Sequence, residues 1–238
     1  MHKFLGNTVD FKGENKILEI EKLEKELKMH VKYVKQAHGI EIVVISDLNQ
    51  NTSQTPFDCI ITTLPNVAIG VYTADCIPLL ISGPGIVVAV HLGRKGLLLG
   101  LCQKVLKKLQ IEFGIDLSEI KCFIGPALGF DNHTAWAQDL KDVSGKYKDI
   151  LPKGTHIFNN KQSIHEFLEK NNLQMNDMKN YTSAKFDAFL YLQDILIEKG
   201  IKTENIFNEE IDTFNDKNYH SYRRDYPNHG LNFAYISL

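Results

Sequence analysis

Arginine is scarce in this sequence. Of 27 basic residues in 238, three are arginine, at positions 94, 223 and 224, and lysine is the default cation. A guanidinium presents a rigid fork of donors that lysine cannot copy, so those three positions point to anion recognition. A basic excess is also missing, since 29 acidic residues leave a formal charge of −2. That balance excludes a constitutive nucleic-acid or membrane-surface binder. No CxxC pair occurs among the four cysteines, Cys59, Cys76, Cys102 and Cys122, and their spacing is irregular. Reduced thiols in a cytoplasmic protein are expected. No apolar run approaches the roughly 18–20 residues of a membrane span, and the polar start predicts no secretory leader. Repeats and low-complexity segments are absent, and there is one tryptophan, Trp136.

What is present is ordinary for a globular chain: 43% hydrophobic and 24% charged residues. A single α+β domain over 1–238, with mixed β-sheets flanked by helices, is the economical reading. Its organising stretch is 73–96. Two β-branched runs, 77–81 and 86–90, flank Gly83-Pro84-Gly85 and read as buried strands of a hairpin. Cys76 precedes the first strand and His91 ends the second, so both fall at the open end. A basic turn, Gly93-Arg94-Lys95-Gly96, follows.

Elsewhere the spacing predicts an amphipathic helix over 14–30 carrying Ile17, Ile20, Leu23 and Leu27. Strands are expected at 31–35 and 40–45, with His38 on the turn between them, then an exposed loop over 46–56 and strands at 58–62 and 67–72. A helix over 97–113 presents Leu98, Leu101, Val105, Leu106 and Leu109. The basic turn before it would leave free N–H groups for an anion. A strand at 120–124 leads to a loop in which Asp131 and His133, with Trp136 just after, are candidates to line a pocket. The polar segment 138–180 reads as a cap or insertion. A helix over 186–199, with Phe186, Phe189, Leu190, Gln193, Leu196 and Ile197, stops at Gly200. Closing strands are expected at 206–211 and 231–238, and between them Tyr219 to Asp225 is the densest run of functional groups.

Three residues at strand ends, His38, Cys76 and His91, make a set of two imidazoles and a thiol. With an open fourth position such a set describes a catalytic zinc site. The same residues also describe a covalent site, with Cys76 as nucleophile, His91 as base and Asp75 or another acid orienting the ring. Spacing does not separate the two. Cys59, Cys102 and Cys122 sit inside apolar runs and are expected to be packing residues. Arg94 with Lys95, and Arg223 with Arg224, are the candidate anion-binding pairs.

Five segments, in order, resemble the YfiH family, also called the laccase-domain or peptidoglycan editing factor family. They are Lys35-Gln36-Ala37-His38-Gly39, Thr73-Ala74-Asp75-Cys76-Ile77-Pro78, His91-Leu92-Gly93-Arg94-Lys95-Gly96, Ile124-Gly125-Pro126, and Tyr219-His220-Ser221-Tyr222-Arg223-Arg224-Asp225. The resemblance implies a fold related to cysteine hydrolases of the deamidating-toxin type. It implies metal ligation by His38, Cys76 and His91, with zinc favoured over copper. It also implies phosphorolysis of adenosine, inosine, guanosine or methylthioadenosine, deamination of adenosine, and a link to editing of peptidoglycan precursors. The expected partners are a nucleoside and phosphate, with Arg94, Lys95, Arg223 and Arg224 as phosphate or substrate contacts. Two further readings are an amide hydrolase built on Cys76 and a member that binds without turnover. The chain departs from the family pattern at Arg94, where a tryptophan is usual, at Lys95, where an arginine is usual, at Asp212, where a cysteine is usual, and at Leu231, where an arginine is usual.

Overall fold

In the computed structural model, residues 1–52, 55–136, 155–158 and 183–238 are described. The strands are β1 (His2–Leu5), β2 (His30–Tyr33), β3 (Ile42–Ile45), β4 (Cys59–Thr62), β5 (Val67–Thr73), β6 (Ile77–Gly83) and β7 (Ile86–Leu92). They continue with β8 (Lys121–Ile124), β9 (Thr134–Trp136), β10 (Thr155–Phe158), β11 (Ser183–Phe186), β12 (Ile206–Asn208) and β13 (Asn232–Ser237). The helices are α1 (Asn15–Leu27), α2 (Arg94–Leu98), α3 (Leu101–Phe113), α4 (Ala188–Glu198) and α5 (Tyr222–Asp225).

The expected hairpin sits at the centre of a six-stranded mixed sheet ordered β12-β8-β6-β7-β4-β3. Its register pairs Pro78 with His91 and Ile77 with Leu92, which places the Cys76 and His91 ends side by side. A second sheet, β1-β13-β5-β2, packs against it, and β9, β10 and β11 form a third. Side chains alternate between faces along each strand. Leu79, Ile81, Val88 and Val90 therefore meet α3 and α4, while Leu80, Val87 and Ala89 meet Ile69, Val71, Ala234 and Ile236 of the second sheet. The outer face of that sheet is covered by Ile20 and Leu23 of α1, against Tyr72, Phe233 and Tyr235. The fold is the α+β arrangement the sequence suggests: mixed sheets with helices on their outer faces.

Several boundaries differ from expectation. β2 and β3 belong to different sheets, so the turn carrying His38 is a crossover from one sheet to the other. α1 ends at Leu27, with Lys28 in the left-handed region at φ 55, and His30 already belongs to β2. Its buried stripe is narrower than the periodicity suggests, since Ile17 is 62% exposed. The expected helix over 97–113 is broken. Gly100, at φ 87, separates α2 from α3, so Arg94 and Lys95 lie inside a five-residue helix and not in a turn before a long one. Phe186 closes β11, and Asp187 caps α4 by accepting from the Leu190 N–H. That start sets the buried stripe to Ala188, Phe189, Leu192, Ile195 and Leu196, leaving Leu190 and Ile197 exposed. The loop before β4 is anchored, not free: the Thr52 hydroxyl donates to the Tyr33 carbonyl and the residue is buried. The Trp136 side chain and most of 138–180 fall outside the described residues.

Candidate metal centre

Three chain segments deliver the expected trio to one place. Ligand atoms of His38, Cys76 and His91 all lie within 4.8 Å of one another. Cys76 Sγ is 3.6 Å from His38 Nε2, and the two imidazole rings stand nearly perpendicular, 4.7 Å between centroids. Metal bonds of about 2.3 Å to sulfur and about 2.0 Å to nitrogen, at tetrahedral angles, put the two donor atoms about 3.5 Å apart. The donor set therefore fits a tetrahedral ion with three protein ligands and one open position. His91 is buried, Cys76 half-buried and His38 exposed, so the open side faces a cavity of about 970 Å³.

The residue that organises the trio is Asp58, which the motifs do not reveal. It lies immediately before β4 and is 1% exposed. Its carboxylate accepts from the N–H groups of Ala37, His38 and Gly39, at 3.3, 3.0 and 2.7 Å, and from His91 Nδ1 at 2.7 Å. An ionised carboxylate only accepts, so Nδ1 carries the proton and Nε2 is left to face Cys76. A metal-ligating histidine usually has such an outer carboxylate, so this pair suits a metal site. Burial pushes the Asp58 carboxyl up, but the His91 and backbone hydrogen bonds outweigh it and hold it below the ordinary value. The expected orienting acid, Asp75, does something else: it accepts from the Thr213 hydroxyl and from the Arg223 N–H, tying the C-terminal segment to the strand end. It does so at φ 83, a costly conformation for a residue other than glycine.

Burial raises the Cys76 thiol, and the His91 and His38 imidazoles more than reverse this, bringing it down to about 6. Burial lowers His91, and the Cys76 and Asp58 charges more than reverse that, to about 9. Cysteine and histidine therefore stabilise each other as thiolate and imidazolium when no metal is bound. By contrast, Cys59 and Cys122 are pushed well up by burial and Cys102 to about 12, as expected of inert packing thiols.

Two close backbone approaches leave no room for a side chain. A Cβ on Gly93 would sit 2.6 Å from His38 Cδ2 and 3.3 Å from Cys76 Sγ, and one on Gly96 would sit 2.8 Å from the Gly39 carbonyl oxygen. Gln36 bridges the end of the β2–β5 ladder: its amide accepts from the Tyr72 N–H at 2.7 Å and donates to the Tyr72 carbonyl at 2.6 Å. That fixes the chain two residues before His38.

Arg94, Lys95 and Arg223 line the cavity, as do His133, Tyr72, Tyr222, His229 and Lys16. Arg224 does not line it: its guanidinium donates to the carbonyls of Thr213, Phe214 and Tyr219 and to Asp225, and it holds the 213–219 loop in place. Of the candidates 131, 133 and 136, His133 lines the cavity. Burial, with the Arg94 and Arg223 charges, lowers it to about 3, so it is neutral at physiological pH. Asp212 accepts from the Gly129 and Phe214 N–H groups and from the Asn132 and Asn215 amides. It shapes the loop under the cavity.

Residues 13–238 match the family described as multi-copper polyphenol oxidoreductase laccase. Among curated proteins, one named purine nucleoside phosphorylase from Mycobacterium tuberculosis is 32% identical over 115 residues, 48% of this chain and 45% of that one. Another of that name, from Aquifex aeolicus, is 34% identical over 106 residues, 44% and 50% of the two chains. The chain thus spans about half the length of the curated relatives it matches. Among solved structures, the Bacillus licheniformis hypothetical protein YfiH superposes with a TM-score of 0.74 at 20% identity, covering 93% of this chain and 80% of that one. YlmD from Geobacillus stearothermophilus gives 0.71 at 21%, covering 91% and 77%. At these identities the structural likeness speaks for the fold. No helix among the described residues is long and apolar enough to cross a membrane.

Proposed function

The chain belongs to the multi-copper polyphenol oxidoreductase laccase family, and from that premise we propose that it is a zinc enzyme that cleaves purine nucleosides by phosphorolysis. The observation that carries this reading is the trio itself, two imidazoles and one activated thiolate converging beside a cavity of nucleoside size. The names of its curated relatives support the substrate class. Bound at the trio, zinc would supply a Lewis acid at the cavity wall. His38, Cys76 and His91 would hold it, and Asp58 would keep His91 in the ligating tautomer. In phosphorolysis the bond from ribose C1′ to the base nitrogen breaks, a phosphate oxygen replaces the nitrogen, and the base leaves with a proton. Arg94, Arg223 and Lys95 supply positive charge along the cavity for that phosphate.

Zinc is preferred to copper because the described residues offer one three-ligand cluster with an open position. Reduction of oxygen to water by a multi-copper oxidase needs several linked ions. The test is to load the full chain with zinc and incubate it with phosphate and either inosine or adenosine. Free base and ribose 1-phosphate are expected. If no free base forms while stoichiometric metal is present, the reading is wrong.

One observation favours a second reading. Cys76, His91 and Asp58 also form a thiolate–imidazole–carboxylate relay, the arrangement of a covalent cysteine hydrolase. A substrate adduct trapped on Cys76 in metal-free protein, during turnover of an amide, would select it over the zinc reading.

A further inference from the structure

Several loops meet at the residue that precedes the Cys76 ligand. Asp75 lies in the link from β5 to β6, which crosses from the second sheet to the six-stranded one. Its carbonyl accepts from the Leu128 N–H at 2.9 Å, in the loop after β8. Its carboxylate accepts from the Thr213 hydroxyl at Oδ1, 2.7 Å away, and from the Arg223 N–H at Oδ2, 2.6 Å away. Thr213 is itself fixed: it is fully buried and its N–H donates to the Ala127 carbonyl. Asp75 makes these contacts at φ 83, and strain of that kind persists only where the surroundings impose it.

What the carboxylate steadies is a helix with no stability of its own. α5 is four residues long, a single turn, and isolated helices need several turns to persist. The first N–H groups of a helix have no partner within it. Ser221 caps one by accepting from the Arg224 N–H, and Asp75 takes that of Arg223 from another part of the chain. The two arginines then part. Arg224 donates to the carbonyls of the 213–219 loop, while Arg223 lines the cavity. Beyond burial, the Arg94 and Arg223 charges both act on His133, so two like charges share one wall. Their repulsion has to be resisted by the backbone that carries them.

Resting on the phosphorolysis reading above, we infer that Asp75 is a positioning residue of the phosphate subsite, its carboxylate fixing Arg223 relative to the Cys76 ligand. Consecutive Cα atoms are about 3.8 Å apart, so Asp75 moves with Cys76, and its bond to the Arg223 N–H carries α5 along. The ligand and the arginine thereby keep one separation. Reaction between two held substrates needs that, since a misplacement of about 1 Å costs on the order of a hundredfold in rate. The role lies in the acceptor geometry and not in the charge. Asparagine tolerates a positive φ, its amide oxygen can accept from the Arg223 N–H, and its amide nitrogen can donate to the Thr213 hydroxyl. Glycine accommodates φ 83 without strain and offers no acceptor.

The experiment titrates inorganic phosphate by calorimetry into the zinc-loaded full chain, dialysed free of excess metal. Asp75→Gly should weaken phosphate about tenfold or more with zinc still stoichiometric, and Asp75→Asn should stay within a factor of about three. In an Arg223→Met background, Asp75→Gly should weaken phosphate less than about threefold, because the group it positions is gone. Thr213→Val, which frees one carboxylate oxygen and keeps the side-chain shape, is the milder variant should Asp75→Gly not fold, with a loss of about threefold that vanishes in Arg223→Met. In inosine phosphorolysis by Asp75→Gly, the KM for phosphate should rise and that for inosine should not. Equal losses in both backgrounds, or a rise in both KM values, mark general damage and overturn the inference. So do loss of zinc from Asp75→Gly, a tenfold loss in Asp75→Asn, unchanged phosphate affinity in Asp75→Gly, and a parent that binds no phosphate. Phosphate binding that follows the expected pattern without inosine cleavage sinks the phosphorolysis reading alone. Cleavage with phosphate affinity indifferent to Asp75 sinks this inference alone.

Discussion

The buried carboxylate of Asp58 and the imidazole of His91 share a 2.7 Å hydrogen bond, and the same carboxylate gathers the N–H groups of the His38 turn. One side chain thus sets both imidazoles of the centre: the tautomer of His91 and the backbone position of His38. Neither imidazole is held in place by its own chain segment alone.

Replacing Asp58 tests that coupling. Asp58→Ala strands a buried imidazole and three N–H groups, and a loss of about 3–5 kcal/mol is expected by chemical denaturation. Asp58→Asn keeps the size but not the acceptor-only character. It should weaken metal binding about 10–100-fold, measured by competition with a chelator, with a smaller loss of stability. Undiminished metal affinity in Asp58→Asn would show that the outer carboxylate is dispensable.

The thiol of Cys76 should titrate early in metal-free protein. Its pKa is depressed to about 6, so thiolate absorbance in the ultraviolet should rise with a midpoint near there, not near the ordinary 9.0. The sign of the linked stability follows. The depressed cysteine contributes stability that is fully present above 9.0 and lost as pH falls through about 6. Raised His91 contributes stability that is fully present below 6.5 and lost as pH rises through about 9. The metal-free protein should therefore be most stable between those limits, and His91→Ala should move the thiol midpoint upward.

Gly93→Ala should damage the centre while sparing the fold. Its methyl would overlap His38 Cδ2 and crowd Cys76 Sγ. The exposed His38 side chain gives way first, so one ligand is displaced. Stoichiometric metal content, measured by emission spectroscopy after dialysis, should fall well below that of the parent, with the melting temperature nearly unchanged.

Gln36→Ala removes two hydrogen bonds to the Tyr72 backbone. Each backbone group left unpaired costs about 1–3 kcal/mol, so destabilisation of about 2–5 kcal/mol is expected by urea denaturation. Faster hydrogen exchange at Ala37 and His38 would show that the turn has loosened with it.

The arginines should separate by role. Arg223→Met and Arg94→Met are expected to raise the KM for phosphate more than that for nucleoside, since both residues line the cavity. Arg224→Met should leave both KM values alone and lower stability instead, because its donors bind the 213–219 loop. Steady-state kinetics with each substrate varied in turn, beside thermal melts, distinguishes the three.

Much of the site was legible in the sequence, because local pattern carries that information. The run from Cys76 to His91 contains its own turn and two β-branched stretches, so hairpin geometry alone brings its open ends together. The register of Pro78 with His91 is what that pattern predicts. His38 on a turn and the buried packing cysteines were equally within reach. Asp58 gave no signal. A single aspartate before an apolar run looks like any strand-initiating polar residue, and its four partners lie up to 33 residues away. Helix details failed for a related reason. Periodicity marks Leu190 and Ile197 as apolar, but the Asp187 cap fixes where the helix starts and so which face is inward.

The sequence by itself determined the chemistry on offer: which thiol and imidazoles stand at strand ends, and the hairpin that pairs two of them. Tertiary structure alone decided what each of these is used for. β2 and β3 enter different sheets, and that crossover carries His38 over Cys76 and His91. The same packing buries Asp58 behind the centre, draws Arg224 into a loop, and sets Lys16 over the rings of Tyr33 and Tyr72. Periodic patterns record how deeply a residue is buried. They do not record which distant strand it will meet, and in this molecule the roles follow from those meetings.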